Sequence, residues 1–457
     1  MSVPAMVAGR RSKMGATAQP PKNQNSRQQS LETVSTIAKD GTLIETTYDP
    51  ERQPPLQFEE WKEGRPIGAP VEKIPCKDGT DLVPPSDKGR LISMGVVLLP
   101  SHAADYGTQA ELLADIIAFI HRYADVPPFE EELIAHYVLM TWVFDRFTAV
   151  PYLRFLGEPG SGKSRLLQIA GNLAYKAIVG GGSTSTSSLF RLLDVYRGTF
   201  VIDEADYEHS ELWSDIIKIL NQGYMSRLPV LRSSKSGDDY EPRAFDVFGP
   251  KILTTRLQFK DQALETRCLT LRTGDGKVRP EVPRQLPPEF HAEALALRNR
   301  LLRWRFENFR RIQTDESKLL DLEPRLTQIG TPLYAVSDDA GFRADLLKFL
   351  RHQADEQHAE RPLTIVAEAI RQLLVNEWKW PATLTVKNVA DKAAEVSIDW
   401  ETEAAPSFTA KRTGPLVRSM GFETRRTATG YQFFVTKTKL AELATRYRLG
   451  AGQGGQA

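Results

Sequence analysis

Gly157, Gly160, Gly162, Lys163 and Ser164 stand in the run GEPGSGKS, which satisfies G-x-x-x-x-G-K-[ST] at every defined position. Glycines at that spacing let backbone N–H groups wrap a phosphate, and a helix opening directly after them adds positive potential. Pro159, Ser161 and Arg165 complete the segment expected to surround the phosphates of a nucleotide, with ATP as the expected ligand. Lys163 would reach the β- and γ-phosphates, and the Ser164 hydroxyl would join the shell of a Mg²⁺ ion. Such a cation also needs a carboxylate at the end of a neighbouring strand. The run GTFVIDEAD supplies Asp203 and Glu204, beginning 40 positions after Lys163. Asp203 would hold Mg²⁺ through its water shell, and Glu204 would polarise an attacking water as general base. The acid pair therefore points to hydrolysis of the nucleotide.

These residues need a frame. The apolar run PYLRFL leads into the glycines, SRLLQIAGNLAYKA reads as the helix after them, and Phe200, Val201 and Ile202 read as a buried strand ending at the acids. Strands alternating with helices predict a mostly parallel sheet, an α/β core over residues 149–288. A further apolar strand, FGPKILTTR, ends in Thr254 and Thr255, either of which could orient a lytic water beside the acids. Arg267 precedes one more strand, where a guanidinium on a domain edge could reach a neighbour's γ-phosphate.

Around this core the chain divides by composition. Residues 1–45 are rich in Ser, Gln, Asn, Pro and basic residues and read as a disordered tail. Residues 46–104 mix short apolar runs with turn chemistry and predict a small strand-rich region. Two amphipathic patterns over 105–148 predict a helical lead-in, and residues 289–355 a helical lid. The long helix opening that lid carries Arg298, Arg300, Arg303, Arg305, Arg310 and Arg311, a pattern expected on a solvated face. Residues 356–447 read as three helices followed by two strands, and 448–457 as a flexible tail.

Basic residues cluster at two places. SRLPVLRSSKSGDDYEPRAFDVFG has two apolar-rich arms around a polar, glycine-containing turn, a hairpin pattern with Lys235 near its tip and Arg232 and Arg243 on its arms. Repeated around a pore, such cations would grip successive phosphates of one strand. The Ser/Gly-rich run GGGSTSTSSLFRLLD reads either as a second loop at that face or as a plain linker. Lys411, Arg412, Arg418, Arg425 and Arg426 give the C-terminal segment a local positive face.

The rest of the composition narrows the class. Across 457 residues the net charge is +1, so no global field marks a nucleic-acid partner and local clusters must supply any contact. Two cysteines lie far apart without metal-ligand spacing, which argues against a disulfide scaffold or a zinc ribbon and fits a reducing, cytoplasmic setting. No apolar run is long enough to span a bilayer, and the N-terminus lacks the apolar middle of a secretory signal.

The order of phosphate loop, acid pair, polar strand end, arginine before a last strand and helical lid resembles the AAA+ ATPases. Within them it is most similar to the superfamily 3 type helicases and the helicase modules of phage and plasmid primase–helicase proteins, over about residues 110 to 445. GPKILTT followed by ALETRCLTL resembles their sensor strand and arginine-finger segment, which implies Arg267 as the finger. Arg256 stands where these helicases usually carry an asparagine, and Thr255 is then the implied sensor. PRLTQIGTPLYAVSDD resembles the lid segment whose arginine, here Arg325, senses the γ-phosphate in cis. LVRSMGFETRRTATGYQFFV resembles the third helix and wing of a winged helix, a fold that contacts duplex DNA or docks proteins. The resemblance implies a ring, expected to be a hexamer, that moves along single-stranded or duplex DNA in the replication of a mobile element or phage, with a separate primase as a further partner. Two other readings share the catalytic residues: an ATPase that remodels or loads proteins, and a nucleotide-gated DNA-binding switch.

Overall fold

The computed structural model describes residues 30–77, 79–180, 186–203, 211–236, 239–259, 261–274, 278–359, 362–399, 408–428, 430–447 and 449. The chain opens with short strands β1 (Ser30–Glu32), β2 (Ser35–Ile37), β3 (Leu43–Tyr48), β4 (Leu56–Lys62), β5 (Arg65–Pro66), β6 (Ile74–Pro75) and β7 (Asp81–Val83). β2 to β5 form an antiparallel sheet, while β1, β7 and β6 form a second, smaller one.

The tail expected up to residue 45 therefore ends earlier, because residues 30–45 are already paired and partly buried. The physical reason is Glu45. Its carboxylate is buried on β3 and accepts from Lys176 Nζ at 2.7 Å, Arg305 Nε at 2.8 Å and the Tyr175 hydroxyl at 2.8 Å. A buried charge persists when it is paired and hydrogen-bonded on all sides. This network fastens the N-terminal sheet to the helices behind it.

Next come α1 (Gln109–Tyr123) and α2 (Pro128–Thr141). Thr108 and Glu111 cap the start of α1 reciprocally, and proline at the first position of α2 costs no hydrogen bond there. The core follows as β8 (Tyr152–Leu156), α3 (Lys163–Leu173), β9 (Ile178–Gly180), α4 (Thr186–Tyr196), β10 (Phe200–Ile202), α5 (Glu211–Gln222), the pair β11 (Val230–Ser236) and β12 (Asp239–Phe245), β13 (Lys251–Thr255), α6 (Gln262–Glu265) and β14 (Cys268–Arg272). The sheet has five strands in the order β14-β8-β13-β10-β9, all parallel. This is the expected α/β class: a parallel sheet with flanking helices.

Both faces of the sheet are covered, as continuous apolar strands require. Leu153 and Phe155 face the cluster shared with α1, α2 and α3, whereas Tyr152, Phe200 and Leu253 face the cluster beneath α4 and α5. β14 is an edge strand, and a side chain completes its ladder. Gln353 accepts from Thr270 N at 2.9 Å and donates to Cys268 O at 2.6 Å.

That glutamine lies on the third of three helices, α7 (Glu289–Asn308), α8 (Pro324–Val336) and α9 (Ala340–Ala359). The expectation of a solvated arginine face on α7 is corrected. Arg298 and Arg305 are buried, Arg305 between Glu45 and Asp145, while Arg300 pairs with Asp115 and Arg303 with Asp105 and Glu307. Charge on a helix says nothing about its partners, and here carboxylates from the lead-in and N-terminal sheet meet it. α9 also runs past the boundary expected at residue 355.

The remaining segment has its own apolar core, built from α10 (Pro362–Leu373), β15 (Ala382–Thr385), α11 (Val386–Asp399), α12 (Ala410–Ser419), β16 (Arg425–Thr427), β17 (Gly430–Val435) and α13 (Lys437–Arg446). Its sheet is antiparallel, in the order β15-β17-β16. β15, four residues placed between helices, was not legible as a strand in the sequence. Among the described residues no helix is long and apolar enough to cross a membrane.

Candidate functional site

The glycine-rich turn sits at the C-terminal end of β8 and leads straight into α3, whose first residue is Lys163. Gly160 and Gly162 take φ of +84° and +93°, a region L side chains avoid. Gly157 is required for a different reason: a Cβ there would lie 2.5 Å from Thr273 O and 2.6 Å from Thr273 Oγ1. Thr273 follows β14, so the turn is pressed against the end of the neighbouring strand. Its hydroxyl also meets Ser161 Oγ at 2.7 Å. Lys163 is folded back onto the turn, with Nζ donating to the carbonyls of Gly157 at 2.5 Å and Glu158 at 2.6 Å. Those carbonyls hold the ammonium over the cradle.

Asp203 follows β10 directly, and the strand order places β13 between it and β8. Consequently a residue of β13 can reach it. Asp203 Oδ1 accepts from Thr254 Oγ1 at 2.7 Å and from Ser164 Oγ at 3.2 Å. One hydroxyl from the phosphate turn, one carboxylate and one hydroxyl from the intervening strand thus meet at the same end of the sheet. A hard divalent cation prefers such oxygen donors, so the residues present fit a Mg²⁺ ion beside bound phosphates. Thr255, implied above as the sensor, faces away from Asp203. Its hydroxyl is buried with no hydrogen-bond partner among the described residues, because successive strand residues face opposite ways. Glu204 lies outside the described residues.

A cavity of about 860 Å³ opens beside the turn, lined by Tyr123, Val126, Pro127, Arg165, Arg272 and Val282. Its size and largely apolar wall suit the nucleoside end of a ligand whose phosphates lie in the turn. Arg165 is committed to backbone carbonyls. Its guanidinium donates to Pro283 O at 2.9 Å, Arg284 O at 2.7 Å and Tyr123 O at 3.3 Å, strapping the segment 278–288 to the end of α1. Arg279 fastens the same segment through Asp125 at 3.0 Å and His121. Arg165 is therefore a wall-holding residue, and sequence reading missed Thr273, a contact of the turn, and Arg272, which lines the cavity. Their signal was weak: two polar residues at the end of a strand.

Arg267 lies at the opposite end of the sheet. Its carbonyl accepts from Tyr152 N at the start of β8, whereas the turn begins where β8 ends. Arg267 is buried, donates to Asn221 Oδ1 and lies 4.2 Å from the centre of the Tyr224 ring. Arg325, at the start of α8, lies 4.9 Å from the centre of the same ring. Arg325 is thus placed beside Arg267 and away from its own phosphate turn, against the expectation of a cis sensor. Burial opposes ionisation of the Tyr224 phenol, but the Arg325 and Arg267 guanidiniums outweigh it and hold its pKa below the usual range.

The hairpin β11–β12 forms in the expected place, with Arg232 directly opposite Arg243. Both arginines work at its base. Arg232 pairs with Asp215 at 2.9 Å and covers the Phe190 ring, and Arg243 approaches Asp194 at 3.9 Å. They brace the hairpin on α5 and α4. Lys235 occupies β11 opposite Tyr240, and its side chain lies outside the described residues, as does the turn at 237–238. Most of the Ser/Gly-rich run preceding α4 is outside them too. In the C-terminal segment Lys411, Arg412 and Arg418 are exposed on α12, and Arg425 and Arg426 on β16.

The fold and site define a chain with a parallel α/β core and a glycine-rich turn facing a hydroxyl–carboxylate cluster. No protein-family model matches the chain, and no curated protein does. Among solved structures it is similar to one described as "SCCmec type IV Cch - active helicase", at 12% identity and TM-score 0.44, covering 92% of this chain and 80% of that one. It is also similar to the apo A form of the NrS-1 C-terminal region, at 10% identity and TM-score 0.37, covering 86% of this chain and 96% of that one. Likenesses this distant assign neither activity nor partner.

Proposed function

We propose that the chain is a Mg²⁺-dependent ATP hydrolase that assembles copies into a ring, expected to be a hexamer, and moves along DNA as a helicase of a mobile element or phage. The observation that carries the enzymatic part is the meeting of Ser164, Asp203 and Thr254 next to the Lys163 cradle. Lys163 and the turn's N–H groups would hold the phosphates, Ser164 and Asp203 would hold the cation, and the cavity between α1 and segment 278–288 would take the nucleoside. When bound, Mg²⁺ would offset charge on the phosphate oxygens. Glu204 would take a proton from water, and Arg267, remote from its own turn, would serve the site of a neighbouring copy.

The DNA part rests on two features. The long hairpin carries Lys235 on the arm away from its braced base, and the C-terminal segment has the helix, strand, helix, helix and two-strand order of a winged helix with basic residues on α12 and β16. Hydrolysis stimulated by single-stranded DNA, with Lys235→Ala abolishing the stimulation and Asp203→Ala abolishing hydrolysis itself, is the expected result. DNA-independent hydrolysis with no Lys235-dependent DNA affinity would replace the track by a protein substrate.

A further inference from the structure

Segment 278–288 is a partition between two open spaces. On one side lies the cavity assigned to the nucleoside, and on the other a second cavity of about 690 Å³, lined by Ile117, His121, Glu131, Arg279 and Glu281. Val282 lines both. With space on each face of Val282, the hydrogen bonds on either side of it must fix the wall.

Those bonds come from two arginines. Arg165 holds the carbonyls of Pro283 and Arg284. Arg279 is anchored around the end of α1. Its backbone N and its Nε donate to the Asp125 carboxylate at 2.7 Å and 3.0 Å, and one terminal nitrogen donates to the carbonyls of His121 at 2.7 Å and Ala124 at 2.9 Å. The other terminal nitrogen lies 2.7 Å from His121 Nε2.

That last contact sets the protonation of the ring. A guanidinium carries only donors, so His121 Nε2 must accept and bear no hydrogen. The hydrogen is then on Nδ1, which donates to Glu131 Oε1 at 2.7 Å. Glu131 is buried and enforces this tautomer. A carboxylate on α2, a neutral imidazole on α1 and a guanidinium on the wall therefore stand in series. A second proton on His121 would set N–H against N–H and cation against cation at the Arg279 contact. The ring would keep Glu131, its charge partner, and release Arg279. The other charged groups nearby are Arg122, paired with Glu293 at 2.8 Å, Asp125, held by Arg279, and Glu281, which lines the second cavity.

We propose that His121 is a positioning residue for nucleotide binding: its neutral ring holds Arg279, Arg279 holds segment 278–288 against the nucleoside, and protonation of the ring loosens that wall and weakens binding. This rests on the nucleotide-binding reading above. The His121 side chain is 56% exposed, so it exchanges protons with solvent directly and the repulsion is screened. The effect is then the loss of one hydrogen bond, about fivefold in affinity. Its sign follows from linkage. The closed wall accepts only the singly protonated ring, so binding is tightest at alkaline pH and falls as the ring gains its second proton.

The test is calorimetric binding of Mg²⁺–ADP, which the chain does not hydrolyse, to the full chain at about pH 8 and about pH 5.5, a range across which imidazoles change charge. His121→Gln offers an acceptor oxygen towards Arg279 and cannot gain a proton. The rise in Kd from the higher to the lower pH should be about five times larger in the parent than in His121→Gln. Arg279→Met has no cation to release and should lose the same excess. A merely structural role would weaken His121→Gln equally at both pH values and leave the parent's rise unchanged, which would overturn the proposal. An excess that persists in Arg279→Met would overturn it as well, since His121 would then act without Arg279. Lys163→Ala separates the two readings. Binding lost in Lys163→Ala alongside equal rises in the parent and His121→Gln would sink this proposal alone, whereas Mg²⁺–ADP bound by Lys163→Ala as tightly as by the parent would sink the nucleotide reading itself.

Discussion

Thr254 and Thr255 are neighbours on one strand with the same side chain, and the structure assigns them opposite consequences. Thr254 is fully buried and donates to Asp203 Oδ1 at 2.7 Å, a bond to a charged acceptor. Such bonds contribute about 1.5–3 kcal/mol, and each 1.4 kcal/mol is about tenfold in rate. Thr254→Val keeps shape and removes the hydroxyl, so Asp203 loses its buried donor and its aim at the cation. Turnover should fall by about 10- to 100-fold, with a higher Mg²⁺ requirement and little change in nucleotide affinity. Thr255→Val removes a buried hydroxyl that has no partner among the described residues. Its turnover should match the parent and its stability should be equal or higher, since an unsatisfied buried hydroxyl costs about 1–3 kcal/mol. The assay is steady-state ATP hydrolysis across a Mg²⁺ series, with urea unfolding of each variant. A Thr255→Val loss as large as that of Thr254→Val, or a Thr254→Val enzyme within about twofold of the parent, would refute the assignment.

Two further outcomes follow from local geometry. Gly157→Ala would put a methyl 2.5 Å from the Thr273 carbonyl, so the turn must shift; nucleotide affinity should drop by about tenfold or more in a binding titration, with the fold retained. His136 is buried in α2, stacked 3.6 Å from the Phe342 ring, and burial lowers its pKa from 6.5 to about 4. The folded state therefore prefers the neutral ring, and the stability it contributes is lost as pH falls from about 6.5 towards 4. His136→Phe should remove up to about 3 kcal/mol of that acid sensitivity in unfolding measured across this window, and an unchanged pH profile would refute it.

Much of the central machinery could be read from local sequence because it depends on short-range rules. The GEPGSGKS run, set between PYLRFL and SRLLQIAGNLAYKA, predicted a glycine turn leading from a strand into a helix, and Gly160 and Gly162 take positive φ there. Likewise FVID placed an acid at a strand end. What the sequence could not supply was the order of strands. That order puts β13 between β8 and β10 and so selects Thr254 over Thr255 as the partner of Asp203. Nor could the sequence supply the packing of α8, which puts Arg325 on the same Tyr224 ring as Arg267 although 58 positions separate them in the chain.

The same division explains the arginines. Residue type alone determined that Arg165, Arg232, Arg298, Arg305 and Arg325 carry charge, and spacing determined which helix or strand each occupies. Only tertiary packing decided their work: Arg165 on carbonyls of segment 278–288, Arg232 on Asp215, Arg305 between Glu45 and Asp145, and Arg325 on Tyr224. A charge acts through whatever lies within a few ångströms of it, and those neighbours come from distant parts of the chain. Sequence by itself determined the chemistry available at the phosphate turn; the folded sheet decided which end of it each group can reach.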